Sequence, residues 1–299
     1  MVIMIIIIAL LILLLIVADA SSRKVLYPNH RTLKMSEDIV KEEDDEWRDF
    51  DKKDTEEVDF ILKDNYIIHG TMVYNDRNSK KFVIHTHGFR FTRHGGIKYL
   101  DAFFNAGYNV YMYDLRSHGE NVRGPIGMGE AESDDLAQII NLFRRKYGTD
   151  ITLGLHGESL GAFTSLMVLN NKPTVDFVIE DCAYSDTIRE LKYQMGRNKI
   201  PPVIFKLVVI VARVKYKQHW SDYDARKVVK TSTLPICFIH GNMDTFTPPY
   251  MAKDLYEACD FKENKELIYF DGAEHANSEK SNPQKYVDEV KSFIDNLNI

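Results

Sequence analysis

The pattern of apolar and polar positions divides the chain into three unequal stretches. Residues 1–18, MVIMIIIIALLILLLIVA, are apolar without a break, and as a helix they would span about 27 Å, close to the thickness of a bilayer core. Residues 36–57, SEDIVKEEDDEWRDFDKKDTEE, are dominated by charge with Trp47 and Phe50 as isolated apolar points, which predicts a connector or a short surface helix. Beyond residue 57 the pattern is that of a folded domain. Val58–Lys63 and Tyr66–Tyr74, separated by Asp64-Asn65, have the turn chemistry and β-branched content of a hairpin.

From Phe82 onward short apolar runs alternate with longer helical stretches. FVIHTH precedes a helix near Ile97–Ala106, and YNVYMYD precedes a helix near Glu130–Tyr147. ITLGLHG leads into a helix from Leu160, followed by VDFVIED; the runs PICFIHG and ELIYFDG come later, before a closing amphipathic helix near Pro283–Leu297. Continuously apolar strands separated by helices are what a mostly parallel sheet covered on both faces requires, so the fold class is α/β.

Between Ala183 and Leu234 the alternation stops, and the pattern predicts two or three helices without strands, among them the very apolar PPVIFKLVVIV of residues 201–211. Two readings are open: an ordinary packing helix, or a lid whose apolar face covers an acyl pocket or touches a bilayer. Lys206 within the run and Arg213 and Lys215 after it argue against a second membrane span. The expected organisation is an N-terminal anchor or signal peptide over 1–20, a charged connector over 21–57 and one catalytic domain over 58–299, with a helical insertion at 183–234.

The apolar leader is followed at once by Ser21, Ser22, Arg23 and Lys24, as befits a membrane segment. Ala18-Asp19-Ala20 has the small-x-small form of a signal-peptidase site, yet no basic residue precedes the apolar run. An uncleaved single-pass anchor is favoured over a secreted product. The cations Arg23, Lys24, Arg31 and Lys34 would place the domain in the cytoplasm by the positive-inside rule, whereas an export signal would place it outside.

Charge and cysteines narrow the partners. Thirty-eight basic residues stand against 44 acidic ones, a net charge of -6 with no basic arm, which excludes a nucleic-acid surface. Cys182, Cys237 and Cys259 are an odd number without CxxC spacing or paired histidines, so neither a disulfide framework nor a zinc site is expected. There is no glycine-rich phosphate loop, and no cofactor is implied.

The chemistry is concentrated in three loops. Gly157-Glu158-Ser159-Leu160-Gly161 fits G-x-S-x-G, with a strand leading in and a helix leading out, the elbow that lifts a serine above a sheet edge. A serine hydroxyl needs a base to take its proton, and the base needs an acid to fix its tautomer. Asp244 follows the strand PICFIHG and His275 follows the strand ELIYF, giving the chain order Ser, Asp, His. Asp271 is a second candidate for the acid, less well placed than Asp244; Glu274 is adjacent to His275 and cannot easily face its ring. His85, His87, His118, His156 and His240 also lie near strand ends and are expected to support the cleft. Backbone amides of Leu160 and of Phe89, after Gly88, are the candidate oxyanion donors.

HTHGF (85–89), YDLRSHGEN (113–121), HGESLGA (156–162), FIHGNMDTFTP (238–248) and GAEHANS (272–278) together resemble the α/β-hydrolase superfamily. More narrowly they resemble bacterial membrane-anchored hydrolases of the serine aminopeptidase and monoacylglycerol-lipase-like group. The likeness runs from about Tyr66 to the C-terminus. It implies an α/β-hydrolase fold, with Ser159, Asp244 and His275 as triad and Phe89 and Leu160 as oxyanion donors. Residues 183–234 match no specificity signature, and the apolar leader is not general to the superfamily. The expected partner is a small-molecule acyl or peptide substrate. The expected activity is carboxylic-ester hydrolysis through an acyl-enzyme, with peptide or amide hydrolysis by the same triad as the alternative and a non-catalytic binding scaffold as the reading from another class.

Overall fold

The computed structural model describes residues 1–43, 50–261, 263, 265–297 and 299. The middle of the charged connector, with Trp47, lies outside the described residues.

Ten strands form: β1 (Asp54–Glu57), β2 (Phe60–Ile61), β3 (Ile67–Ile68), β4 (Gly70–Tyr74), β5 (Lys81–Thr86), β6 (Asn109–Tyr113), β7 (Thr152–Glu158), β8 (Phe177–Asp181), β9 (Ile236–Gly241) and β10 (Lys265–Phe270). Eight of them make one sheet in the order β1-β4-β6-β5-β7-β8-β9-β10, with β2 and β3 paired separately. β1 and β4 run antiparallel to their neighbours, and every pairing from β6 to β10 is parallel.

Period-two alternation sends neighbouring side chains to opposite faces of the sheet. Along β5, Phe82 and Ile84 join one core and Val83 the other; along β9, Ile236 and Phe238 face the first, Cys237 and Ile239 the second. The first face is covered by α4 (Glu130–Tyr147), whose Leu136, Ile139, Ile140 and Phe143 form one buried stripe, and by α5 (Leu160–Met167), α8 (Ala225–Thr231) and α9 (Tyr250–Ala258). The second face packs against α3 (Leu100–Asn105) and α11 (Pro283–Asp295), which follows the short α10 (Ser278–Ser281). Both faces of the parallel strands β5 to β9 are therefore dry, which is why their sequences read as largely apolar runs.

A third core lies beside the sheet. It joins the end of α1 (Val2–Leu26) to α6 (Thr187–Arg197) and α7 (Pro202–Tyr216), with Trp220 and Ile126. α7 begins with proline at its first position after Lys199 turns through a positive φ of 57°, a break that separates it from α6.

Four elements differ from the sequence reading. The first helix does not stop near Ala20 but continues to Leu26, because Ala18, Ser22 and Leu26 fall one turn apart on a single buried stripe. The connector also contributes to the domain. α2 (Leu33–Glu43) buries Ser36 and Val40, and Asp54–Glu57 pairs with β4 as an edge strand despite its charge, since edge pairing uses the backbone while the side chains stay wet. The expected hairpin splits: β2 and β3 pair, whereas Gly70–Tyr74 joins the main sheet. The helix expected from Ile97 begins as a 3-10 turn at Arg93.

Candidate active site

β7 runs into α5 through Ser159, whose φ of 54° and ψ of -113° lie outside the regions ordinary side chains occupy. The turn is possible only because its flanks carry no side chains. A Cβ at Gly157 would sit 2.3 Å from the Gly161 carbonyl oxygen, and one at Gly161 would sit 1.9 Å from that of Thr86. The elbow is also tied to the next strand, since the Ser159 amide donates to the Asp181 carbonyl at 2.8 Å.

The loops after β9 and β10 bring the other two side chains to this point. His275 Nε2 lies 2.9 Å from Ser159 Oγ, and His275 Nδ1 lies 2.7 Å from Asp244 Oδ2. With the carboxylate accepting from Nδ1–H, Nε2 is left bare to accept the serine proton. The other oxygen of Asp244 accepts the amides of Phe246 at 2.7 Å and Thr247 at 2.8 Å, so the carboxylate cannot rotate. Burial pushes the Asp244 carboxyl up, but hydrogen bonds from His240 and His275 outweigh it and hold it down at about 2. Asp271 instead accepts from the Asn242 side chain at 2.8 Å, and Glu274 is exposed. The Phe246 ring packs 4.8 Å from the His275 ring, centroid to centroid.

Leu160 opens α5, where first-turn amides have no carbonyl partner within the helix. Gly88 comes close enough that its Cβ would lie 3.6 Å from the Ser159 Cβ, which brings the following Phe89 to the cavity that Ser159 and Leu160 also line. Two neutral histidines hold this loop. His87 accepts the Leu115 amide on Nε2 at 2.9 Å and so donates from Nδ1 to the Gly88 carbonyl at 2.7 Å. His118 accepts the Arg90 amide on Nε2 at 3.1 Å and donates from Nδ1 to the Arg116 carbonyl at 2.9 Å. Burial pulls the two rings down to about 4 and about 3, which keeps both in these tautomers. Of the other histidines near strand ends, His85 and His156 face each other at 2.7 Å in the interior, and His240 sits behind Asp244 at 3.3 Å.

Three features of the site escape the motif-level reading. Lys98, partly buried, is 2.6 Å from Glu158 Oε2 and donates to the Ala276 carbonyl at 2.6 Å; it joins the neighbour of Ser159 to the neighbour of His275. Glu190 lines the cavity beside Ser159, with Oε1 accepting from Gln194 at 2.7 Å and Oε2 buried without a partner among the described residues. The cavity itself, about 460 Å³, is bounded by Leu191, Met195 and Ile200 of the helical insertion and by Ser21, Lys24 and Val25 of α1. Only the isolated acid of an otherwise basic stretch, Glu190, left a trace in the sequence.

Cys182, Asp244 and His275 place ligand-type atoms within 4.8 Å of one another. Asp244 and His275 already bond each other, and burial drives the Cys182 thiol well above its usual value, so the trio offers an unionised sulfur and two engaged groups. That donor set does not fit a resident cation.

A mostly parallel eight-stranded sheet, with a strained serine after one strand and an aspartate and a histidine in the loops after its last two, is the α/β-hydrolase fold. Comparisons with known proteins agree. The family model for the serine aminopeptidases, S33, matches residues 77–203. The chain is 29% identical over 277 residues to the uncharacterized protein YqkD of Bacillus subtilis, covering 89% of this chain and 88% of that protein. It is 25% identical over 229 residues to the uncharacterized protein YfhR of Escherichia coli K12, covering 74% and 73%. Among solved structures, the esterase Pf2001 of Pyrococcus furiosus superposes with a TM-score of 0.67 at 20% identity over 82% of this chain and 92% of that one. A hydrolase of Pseudomonas aeruginosa gives 0.61 at 14% identity, covering 80% and 98%. The chain thus shares the α/β-hydrolase fold of these solved structures.

Proposed function

We propose that the protein is a serine hydrolase that cleaves carboxylic esters and is held at a membrane by its N-terminal helix. The observation that carries this reading is the continuous Ser159–His275–Asp244 chain of hydrogen bonds, at 2.9 and 2.7 Å, opening onto a largely apolar cavity. Ser159 Oγ attacks the acyl carbon as its proton passes to His275 Nε2, and the negative charge on the former carbonyl oxygen is met by the amides of Leu160 and Phe89. As the tetrahedral intermediate collapses, the ester C–O bond breaks and the departing alkoxide takes the proton from His275. Water then gives a proton to His275 and attacks the acyl-enzyme; His275 returns the proton to Ser159 as the acid leaves. Asp244 keeps the imidazole in one tautomer and balances its charge.

The cavity volume falls within the range of about 300–1,000 Å³ typical of small-molecule sites. The experiment is hydrolysis of p-nitrophenyl esters from acetate to palmitate by wild type and Ser159→Ala. Turnover lost in the variant supports the reading; a folded wild type inert on every ester would remove it.

Peptide or amide hydrolysis is the second reading, favoured by the S33 family match and by Glu190, a carboxyl that could meet a substrate amine. Burial pushes that carboxyl up to about 7 and Lys24 borders the same cavity, both of which weaken it as a cation site. Faster turnover of aminoacyl anilides than of matched esters would reverse the preference. A serine-directed fluorophosphonate that fails to label wild type would instead favour a binding scaffold.

A further inference from the structure

The helix that reads as a membrane anchor is also part of the substrate cavity. Ser21, Lys24 and Val25 of α1 border the space that holds Ser159, opposite Leu191 and Met195 of α6. This end of α1 is fixed. Ala18, Ser22 and Leu26 are buried in the third core, Ser22 Oγ is 3.2 Å from the Val208 carbonyl, and the Leu26 carbonyl accepts the Ile126 amide at 2.9 Å. Asp19 accepts from Lys215 and from the Tyr216 hydroxyl, each at 2.7 Å. Cleavage after Ala20 would remove Asp19 and Ala18 and cut the helix inside its docked turn.

The other end of the same helix, residues 1–17, is exposed apart from the partly buried Leu14. At about 1.5 Å per residue it reaches about 26 Å, nearly a bilayer core, and puts Ser21 and Val25 about 6 and 12 Å beyond its end, at headgroup depth. The neighbouring surface fits that depth. From Arg189 to Lys217 the chain has eight basic residues and one acid, although the whole protein carries -6. Lys192, Arg197, Lys199, Lys206, Arg213 and Lys217 are exposed, and Val203, Ile210 and Val214 of α7 are exposed among them. Cations around exposed aliphatic side chains match an anionic bilayer surface.

We infer that α1 is retained in the mature protein as a permanent wall of the cavity, and that the substrate is a single-chain acyl ester whose chain enters from the bilayer against Val25. The inference rests on the serine-esterase reading of the site.

The test uses the full chain in phosphatidylcholine–phosphatidylglycerol vesicles and an alkyl fluorophosphonate whose medium-length chain ends in a diazirine. Ser159 Oγ attacks phosphorus, the P–F bond breaks, fluoride leaves and the serine proton passes to His275. Irradiation expels nitrogen, and the resulting carbene inserts into the nearest wall. Cross-links in the peptide containing Ser21–Val25 are expected; cross-links confined to α6, α7 or lipid overturn the inference while leaving the serine intact. Failure to label Ser159, together with no turnover of p-nitrophenyl butyrate, removes the esterase reading and this inference with it. Val25→Trp provides an independent measure: the ratio of decanoate to acetate turnover falls at least about tenfold if the chain lies against this wall, and an unchanged ratio overturns it. The mass of the membrane-extracted protein should include residues 1–20, and a chain beginning at Ser21 would overturn the retention of α1.

Discussion

Lys98 and Glu158 form a largely buried ion pair of 2.6 Å directly behind the strained turn at Ser159. Burial disfavours both charges, but each holds the other ionised: Glu158 stays below the usual carboxylate range and Lys98 above the usual amine range. Lys98→Met leaves a carboxylate buried without its cation and frees the Ala276 carbonyl. The expected loss is about 3–5 kcal/mol in denaturant unfolding, with a lower kcat. Lys98→Met combined with Glu158→Gln should recover most of the stability but not the restraint on the His275 loop. Full recovery of kcat in the double variant would show that the restraint has no role.

Asp244→Asn retains an oxygen that can accept the Phe246 and Thr247 amides, so the loop should survive. It replaces the acceptor for His275 Nδ1–H with a neutral group and allows the wrong tautomer. The expected outcome is a fall in kcat of about 10³- to 10⁴-fold with unchanged thermal unfolding, read from ester turnover and calorimetry.

Glu190 gives the cavity a pH-dependent lining. Burial raises its carboxyl to about 7, so it is neutral below that pH and charged above it. A charge in an apolar cavity disfavours an acyl chain. KM for a decanoate ester should therefore rise between pH 6.5 and 8.5 in wild type and stay flatter in Glu190→Gln, as steady-state kinetics across this window would show.

Stability should peak near neutrality, with limbs of different origin. Burial lowers His87 and His94 to about 4 and His118 and His156 to about 3, so below about 6.5 the unfolded chain binds protons that the folded chain refuses, and stability falls with pH. Glu180, Asp181 and Glu190, raised by burial to about 8, 6 and 7, act the opposite way: their contribution is complete below the ordinary carboxyl range and is lost as pH climbs to those values. Above 6.5 the histidine contribution has ended and Glu180 continues, at up to about 1.4 kcal/mol per pH unit. Glu180→Gln should shrink the alkaline limb in chemical denaturation and leave the acid limb in place.

The fold was legible because its strands are buried on both faces and its elbow demands glycine at fixed positions; few other arrangements produce ITLGLHGESLGA. Ser159, Asp244 and His275 stood out because each lies in the turn or loop that follows a strand. Lys98 did not, since what it does depends on Glu158 and Ala276, 60 and 178 residues away, and no local pattern records such distances; Glu190 showed only as the lone acid of a basic stretch. The edge strand Asp54–Glu57 was hidden by its acidic side chains, its pairing being a property of the backbone. The end of α1 was misjudged because hydropathy falls at Asp19 while the helix continues on a stripe of small residues, Ala18 and Ser22, that fits α7.

That stripe also orders events during synthesis. Ser22 leaves the ribosome ahead of its partner Val208, which follows 186 positions later. The exposed residues 1–17 rest on no part of the domain, but the last two turns of α1 lack the surface of α7 until the helical insertion exists. Contacts separated so far along the chain form slowly, because the entropy of closing the loop must be met first. That end of α1 is thus completed late, and Ser21, Lys24 and Val25 line the cavity only once α7 is in place.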